Sequence, residues 1–307
     1  MRSFSALLLV APPLSPAISS DTRGLYVMTS AAPTWDPGLY LRHAGHRTRP
    51  FLDLLARIPE PGRPGPGGGG GGTRAPLRIA DIGCGAGNVT ALLAERWPDA
   101  LITGFDNSPE MVEHARTAHG GPTAGGGRLD FTEGDAHDWL PEGGYDLIVS
   151  NAVLHWVPGH RALLGRWAEA LNPGGVLAFQ VPANFAAPSH TLVAGLVAEP
   201  RWRDRLGEHG VIASVHEPAE YLTRLVGLGL DPDVWETTYL QLLTGEDPVL
   251  DWIKGTVLRP LLTELADDPA ATDAFLTELA GRLRTAYPPG PAGTVLPFRR
   301  VFAVARA

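Results

Sequence analysis

The stretch Asp81-Ile82-Gly83-Cys84-Gly85-Ala86-Gly87-Asn88 decides the fold. It follows a short apolar run, LRIADI (77–82), and precedes ALLAERW (91–97), whose apolar residues recur at helical spacing. A strand that turns through glycines into a helix lets a ligand approach backbone N–H groups closely. A dinucleotide fingerprint, Gly-x-Gly-x-x-Gly, would place its third glycine at 88, where this chain has Asn88. A Walker loop would need Gly-Lys-Ser/Thr, and none is present. The spacing Asp-x-Gly-x-Gly-x-Gly points away from both NAD and ATP.

Outward from this loop, strands and helices alternate. LITGFD (101–106) reads as a second strand, and Ser108 as the cap of the helix SPEMVEHARTAH, with Pro109 in its first turn. GGPTAGGG (120–127) reads as a loop, LDFTEGD (129–135) as a third strand and YDLIVSN (145–151) as a fourth. A helix over 160–171, a turn at 172–175 and the strand VLAFQV (176–181) follow. This alternation predicts an α/β fold, a doubly wound and mostly parallel sheet with right-handed crossovers. The last third predicts helices over 188–199 and 216–229, a strand VWETTYLQLL (234–243), and helical segments over 247–286 broken at Pro260 and Pro269. RRVFAVA (299–305) reads as a closing strand of the same sheet. Near the N-terminus, apolar residues at helical spacing over 36–58 predict two short helices separated at Pro50. PEPGRPGPGGGGGGTRAP (59–76) reads as a linker, with 62–72 a flexible Gly-rich insertion.

Composition limits the function. The chain has 307 residues, 44% apolar and 19% charged, which supports a packed core and excludes wholesale disorder. With 25 Lys+Arg against 33 Asp+Glu, the net charge is −8, which argues against nucleic acid as a partner. No apolar run reaches the roughly 18–20 residues of a membrane helix, so no membrane span is expected. The single cysteine, Cys84, cannot form an internal disulfide and reads as a small loop residue. Lys254 is the sole lysine, so an anionic ligand must be held by arginine, histidine or backbone N–H groups. Residues 1–34 read as an overextended start, with Met28 as a plausible first residue, or as a disordered tail. A weak export signal over 1–20 is the less favoured reading, because three prolines follow its short apolar part.

Polar residues stand at the ends of the predicted strands, where open parallel sheets bind ligands. Asp106 lies 19 residues after Gly87 and suits ribose hydroxyls; Asp135 suits an adenine amino group; Asn151 ends the fourth strand. Each alone suits a helix cap or a turn, but together with Asp81 they trace one ligand rim. At this point the chain resembles the class I S-adenosylmethionine-dependent methyltransferases. DIGCGAGN is similar to their glycine loop, GFDNSPEM to their ribose segment, GDAHDW to their adenine segment, and YDLIVSNAVLHWV with LNPGGVLAFQV to their fourth and fifth strands. The resemblance implies a Rossmann-like, seven-stranded sheet with a reversed last strand and S-adenosyl-L-methionine as cofactor. The cofactor-binding residues it implies are Asp81, Gly83, Gly85, Gly87, Asp106, Asn107, Met111, Asp135, Ala136 and Asn151, with Tyr40 and Arg49 closing over it from the N-terminal helices.

The flanks carry a finer resemblance. WDPGLYL (35–41), RTRP (47–50), VWETTYL (234–240), DWIKGTVLRPLL (251–262), TAYPP (285–289) and PFRRVFAVAR (297–306) are together similar to the trans-aconitate methyltransferases. Arg299 stands where that family tends to have proline, and His155 where glutamine is common. The resemblance implies one methyltransferase domain over 35–307, substrate-covering helical additions over 188–290, and O-methylation of a small tricarboxylate. Two arginines suit the clamping of carboxylates, and the candidates are Arg259 and Arg300, with Tyr239 and His155 as hydrogen-bond partners. Arg299 points to the opposite side of its strand. A carboxylate is already ionised at neutral pH, so neither a general base nor a metal is required. Positioning alone is expected to drive the reaction, with His155 and Trp156 flanking the reacting atoms. The alternatives are another carboxylate acceptor, such as a malonyl thioester on a carrier protein, and a non-catalytic cofactor-binding module. A cytoplasmic monomer is expected.

Overall fold

Residues 44–62, 75–139, 143–207 and 215–307 are described by the computed structural model. The tail 1–34, Tyr40 and nearly all of the Gly-rich insertion lie outside the described residues.

Runs that are apolar on both faces have to be covered twice, and this sets the layers. Strands β1 (Arg78–Ile82), β2 (Leu101–Asp106), β3 (Gly121–Pro122), β4 (Arg128–Glu133), β5 (Tyr145–Asn151), β6 (Leu171–Pro182), β7 (Asp231–Leu243) and β8 (Thr294–Arg306) form one sheet in the order β3-β4-β2-β1-β5-β6-β8-β7. The five strands β4, β2, β1, β5 and β6 run parallel, and β8 is antiparallel to both β6 and β7. The expected seven strands are therefore present, with the last one reversed. An eighth, β3, arises within the segment read as a loop: Thr123 N–H donates to the Gly127 carbonyl at 3.1 Å and folds that segment back against edge strand β4.

One face of the sheet is covered by α1 (Ala44–Arg57), α2 (Thr90–Arg96) and α3 (Pro109–His119). Phe51, Leu54 and Ile58, Leu93, and Val112 and Ala115 from these segments pack on Ile79, Leu147, Val149, Val176 and Ala178. Ser108 caps α3 as expected, its Oγ accepting the Met111 N–H at 3.3 Å. The other face carries α4 (His160–Glu169) and α7 (Pro218–Val226), whose Leu164, Trp167, Tyr221 and Leu225 pack on Ile148, Leu177, Phe179 and Ala303. Helices α5 (Pro188–Val197), α6 (Pro200–Leu206), α8 (Pro248–Lys254), α9 (Arg259–Glu264) and α10 (Pro269–Ala286) build a third core around Leu196, Trp202, Phe275 and Leu279. Leu243 and Leu296, from the far ends of β7 and β8, belong to that core. The stretch read as helical additions thus also contains β7, and its α7 covers the sheet.

The two helices expected around Pro50 are corrected within the described part: α1 continues through Pro50. The lost backbone hydrogen bond is outweighed by a buried face whose residues, Phe51, Leu54, Leu55 and Ile58, repeat at helical spacing directly after the proline. Helix α6 was not legible in the sequence. Phe51 is fully buried. Phe51→Ala is expected to lower stability by about 3–5 kcal/mol, measured from urea unfolding midpoints; a loss under about 1 kcal/mol would show that α1 does not dock on the sheet.

Candidate functional site

The glycine loop is fixed from β2. The Phe105 carbonyl accepts N–H groups from both Gly83 (2.7 Å) and Cys84 (2.9 Å), and Gly87 N–H returns to the Cys84 carbonyl at 3.1 Å. Gly83, Gly85 and Gly87 have φ of +78°, +55° and +81°, the region that disfavours side chains. They serve different ends. A Cβ at Gly83 would overlap the Val153 side chain, and one at Gly87 would press on Phe131 and Ala115. Nothing lies within 4 Å of a Cβ at Gly85, so that glycine faces open space.

Three carboxylates stand around this loop. Asp106 accepts the Gly85 N–H at 2.8 Å through Oδ2 and the Ser108 N–H at 3.0 Å through Oδ1. Burial raises its pKa, against the pull of those N–H groups. Asp135 accepts Asn107 Nδ2 at 3.0 Å and the His137 N–H at 2.7 Å, joining the ends of β2 and β4. Asp81 is fully buried; its Oδ2 accepts Thr90 Oγ1 at 2.7 Å, and its Oδ1 has no partner. Burial, with the nearby Asp106 carboxylate, pushes Asp81 up to about 7. Met111 and Ala136 are buried beside these groups in sequence, at the start of α3 and just after Asp135. Cys84 is buried, and burial raises its thiol pKa, so it is no nucleophile at neutral pH.

An orphaned buried carboxylate, a rim of further carboxylates and an open glycine suit a ligand with an amino group and ribose hydroxyls. S-adenosyl-L-methionine has both, so the residues present fit it.

Beyond β5 the polar groups change sign. Asn151 Oδ1 accepts Gln180 Nε2 at 2.6 Å, and Gln180 Oε1 accepts Arg300 Nη1 at 3.0 Å. All three residues are buried. Arg300 also lies over the Phe298 ring, at 4.8 Å from its centroid. His155, in a 3-10 turn over Leu154–Trp156, packs on Trp156 and Phe185 and keeps a buried Nδ1 without a partner. Burial, aided by the Arg300 cation, pushes His155 down to about 3, so it is neutral at pH 7. Arg300, His155 and Tyr239 share one electrostatic neighbourhood.

Other expected residues sit differently. The Tyr239 hydroxyl donates to Asp53 Oδ2 at 2.6 Å, so its proton is committed to α1. Arg49 lies over the Tyr239 ring, 5.2 Å from its centroid. Arg259 opens α9, with its N–H on the Thr256 carbonyl at 3.2 Å. Arg299 does point away from Arg300, and its guanidinium binds Glu217 and Glu236 at 2.5 Å each.

Sequence reasoning missed Gln180, Asn184 and His190. Asn184 and His190 are buried near His155: Phe185 packs on both histidines, and the His190 ring adds to the lowering of the proton affinity of His155. The available signal was a glutamine inside the otherwise apolar run VLAFQV. Among the described residues no group of histidine, cysteine and acidic side chains could hold a metal.

The raised pKa of Asp81 favours the fold while its carboxyl is protonated. That contribution is complete below about pH 4 and is lost as pH rises through about 7. Thermal melts of the ligand-free protein are expected to fall over this range for the wild type and stay flatter for Asp81→Asn; parallel curves would refute the shift.

Residues 79–175 match a family described as "Methyltransferase domain". A trans-aconitate 2-methyltransferase of Streptomyces avermitilis is 59% identical over 281 residues, 91% of this chain and 98% of that protein. Enzymes of the same name from Rhodococcus jostii and Mycobacterium tuberculosis are 47% and 44% identical, over 89% and 88% of this chain and 99% and 96% of theirs. The chain belongs to the trans-aconitate 2-methyltransferase family and is an S-adenosylmethionine-dependent methyltransferase.

Proposed function

We propose that this enzyme methylates one carboxylate of trans-aconitate to give the monomethyl ester. The observation that carries the reading is the buried Arg300 guanidinium, set beside a neutral His155 whose Nδ1 lacks a partner. A guanidinium matches a carboxylate in charge and in shape.

Bound S-adenosyl-L-methionine supplies a methyl group on a positively charged sulfur. Asp106 accepts the ribose hydroxyls, Asn107 and Asp135 border the adenine, and Asp81 receives the amino group. Met111, Ala136 and the glycines shape the floor, and Asn151 closes it on the β5 side. Arg300 clamps a carboxylate that does not react, and Arg259 is the candidate for a second clamp. His155 donates or accepts one hydrogen bond without adding charge. It is far too weak a base at about 3 to take a proton, and the reacting carboxylate has none to give. The site therefore works by holding the acid in line and excluding water, as a dry pocket favours a reaction in which opposite charges are neutralised. Tyr239 acts indirectly, anchoring α1 through Asp53 and carrying Arg49 on its ring. The one-domain organisation over 35–307 and a cytoplasmic location, where the cofactor is made, belong to the same proposal. Among the described residues no helix is long and apolar enough to cross a membrane.

Two variants separate the halves of the site. Asp106→Ala is expected to weaken S-adenosylhomocysteine binding by about 10- to 100-fold, the loss of one or two hydrogen bonds to a charged group, with little change in melting temperature. Calorimetry showing native affinity would remove Asp106 from the ribose. Arg300→Ala is expected to raise KM for trans-aconitate by roughly 30-fold or more, while S-adenosylhomocysteine affinity drops by only a few-fold. Equal losses for both ligands would discredit the clamp. A methyl-transfer screen over di- and tricarboxylic acids, read by mass detection of the ester, tests the acceptor itself; a preference for another acid overturns it.

A further inference from the structure

Gln180 is 1% exposed, and a buried amide has to be hydrogen-bonded. In register it stands opposite Asn151 on β5 and Phe302 on β8. The direction of its bonds is dictated from one end. A guanidinium only donates, so Gln180 has to turn Oε1 to Arg300 and Nε2 to Asn151. Asn151 then has to turn Oδ1 to Gln180, which leaves its NH2 for a different partner. Among the described residues no hydrogen bond uses that group. An isolated asparagine could rotate its amide by half a turn at little cost; this one cannot while Arg300 stands at the other end of the chain.

The backbone of Gln180 adds a second hold. Its carbonyl accepts the Ala152 N–H at 2.9 Å. Ala152 has φ of +59°, a left-handed conformation that alanine keeps only where its surroundings dictate it. Val153, one residue on, is the side chain that a Cβ at Gly83 would overlap. One residue of β6 therefore fixes the segment 151–153 against the glycine loop and also meets Arg300.

We propose that Gln180 is a positioning residue that transmits the orientation of Arg300 to Asn151, so that the substrate clamp and the cofactor floor form one hydrogen-bonded unit. This rests on the reading that assigns Asn151 to the cofactor and Arg300 to the acid.

The test is calorimetry with S-adenosylhomocysteine alone, on the full chain, which makes it independent of the acceptor acid. Gln180→Met, similar in length and lacking the amide, weakens binding by about 5- to 10-fold, the scale of one lost hydrogen bond. Arg300→Met weakens it by about 3- to 5-fold in the native background and by less than about 1.5-fold when combined with Gln180→Met. Two unrelated packing losses would multiply; a relay broken once cannot be broken again. Gln180→Glu still accepts from Arg300 but cannot donate to Asn151. It is expected to weaken S-adenosylhomocysteine as Gln180→Met does, and it keeps the proposal testable if the methionine variant fails to fold. Native affinity in Gln180→Glu, or equal losses from Arg300→Met in both backgrounds, overturns the proposal. Asp106→Ala is the reference: a loss of binding there beside an additive Gln180–Arg300 cycle defeats the relay alone. Unchanged binding in Asp106→Ala removes the cofactor site and the relay with it.

Discussion

Two N–H groups share the carbonyl oxygen of Phe105, and the site is built around that contact. It holds the turn after β1 against the end of β2, which lets Gly83 meet Val153 and brings the β5 turn alongside. It also sets Gly85 N–H within reach of the Asp106 carboxylate. Each of these approaches needs a backbone conformation or a clearance that a side chain would deny. The three glycines are thus a condition for strands β1, β2 and β5 to present their ends together.

The rim of the sheet is divided by charge. Asp81, Asp106 and Asp135 lie on the side of β1, β2 and β4. Arg300 and Arg49 lie on the side of β8 and α1. The boundary falls on β5 and β6, where the interacting side chains are the neutral amides of Asn151 and Gln180. The rim thus offers an acidic field on one side and a basic field on the other, and the amides between them add no net charge. Burial reinforces the division by keeping His155 neutral and by strengthening the electrostatics of the two buried charges, Asp81 and Arg300.

The fold of the glycine-loop half was legible because it is local: strand, glycine loop, helix and the acids at successive strand ends lie within about sixty residues, and each obeys a short-range rule. Strand β8 was legible too, through its apolar run, and its reversal through the resemblance to the methyltransferases. Helix α1 was misread because Pro50 is a local breaker, and only the sheet beneath Phe51 and Leu54 overrules it. Strand β3 depended on a turn whose partner strand is supplied by the tertiary fold. On the β8 side, Arg300 is named by its motif, but Gln180 is not, because a single polar residue in a buried strand gives no sign of what it faces. Tyr239 was named for its hydroxyl, whose commitment to Asp53 depends on how α1 docks. What escaped the sequence were pairings between residues far apart along the chain.

Strand β8 follows β7 in sequence yet lies between β6 and β7. Pro182 waits for Arg300, and β7 has no neighbour until β8 arrives. The parallel half closes through near-sequence crossovers, whereas joining β6 to β8 requires a loop of more than a hundred residues to close, which is entropically slow. Folding order is expected to follow the wiring of the sheet: the acids at and beyond the ends of β1, β2 and β4 come together through near-sequence contacts, whereas Arg300 meets Gln180 only when the last strand docks.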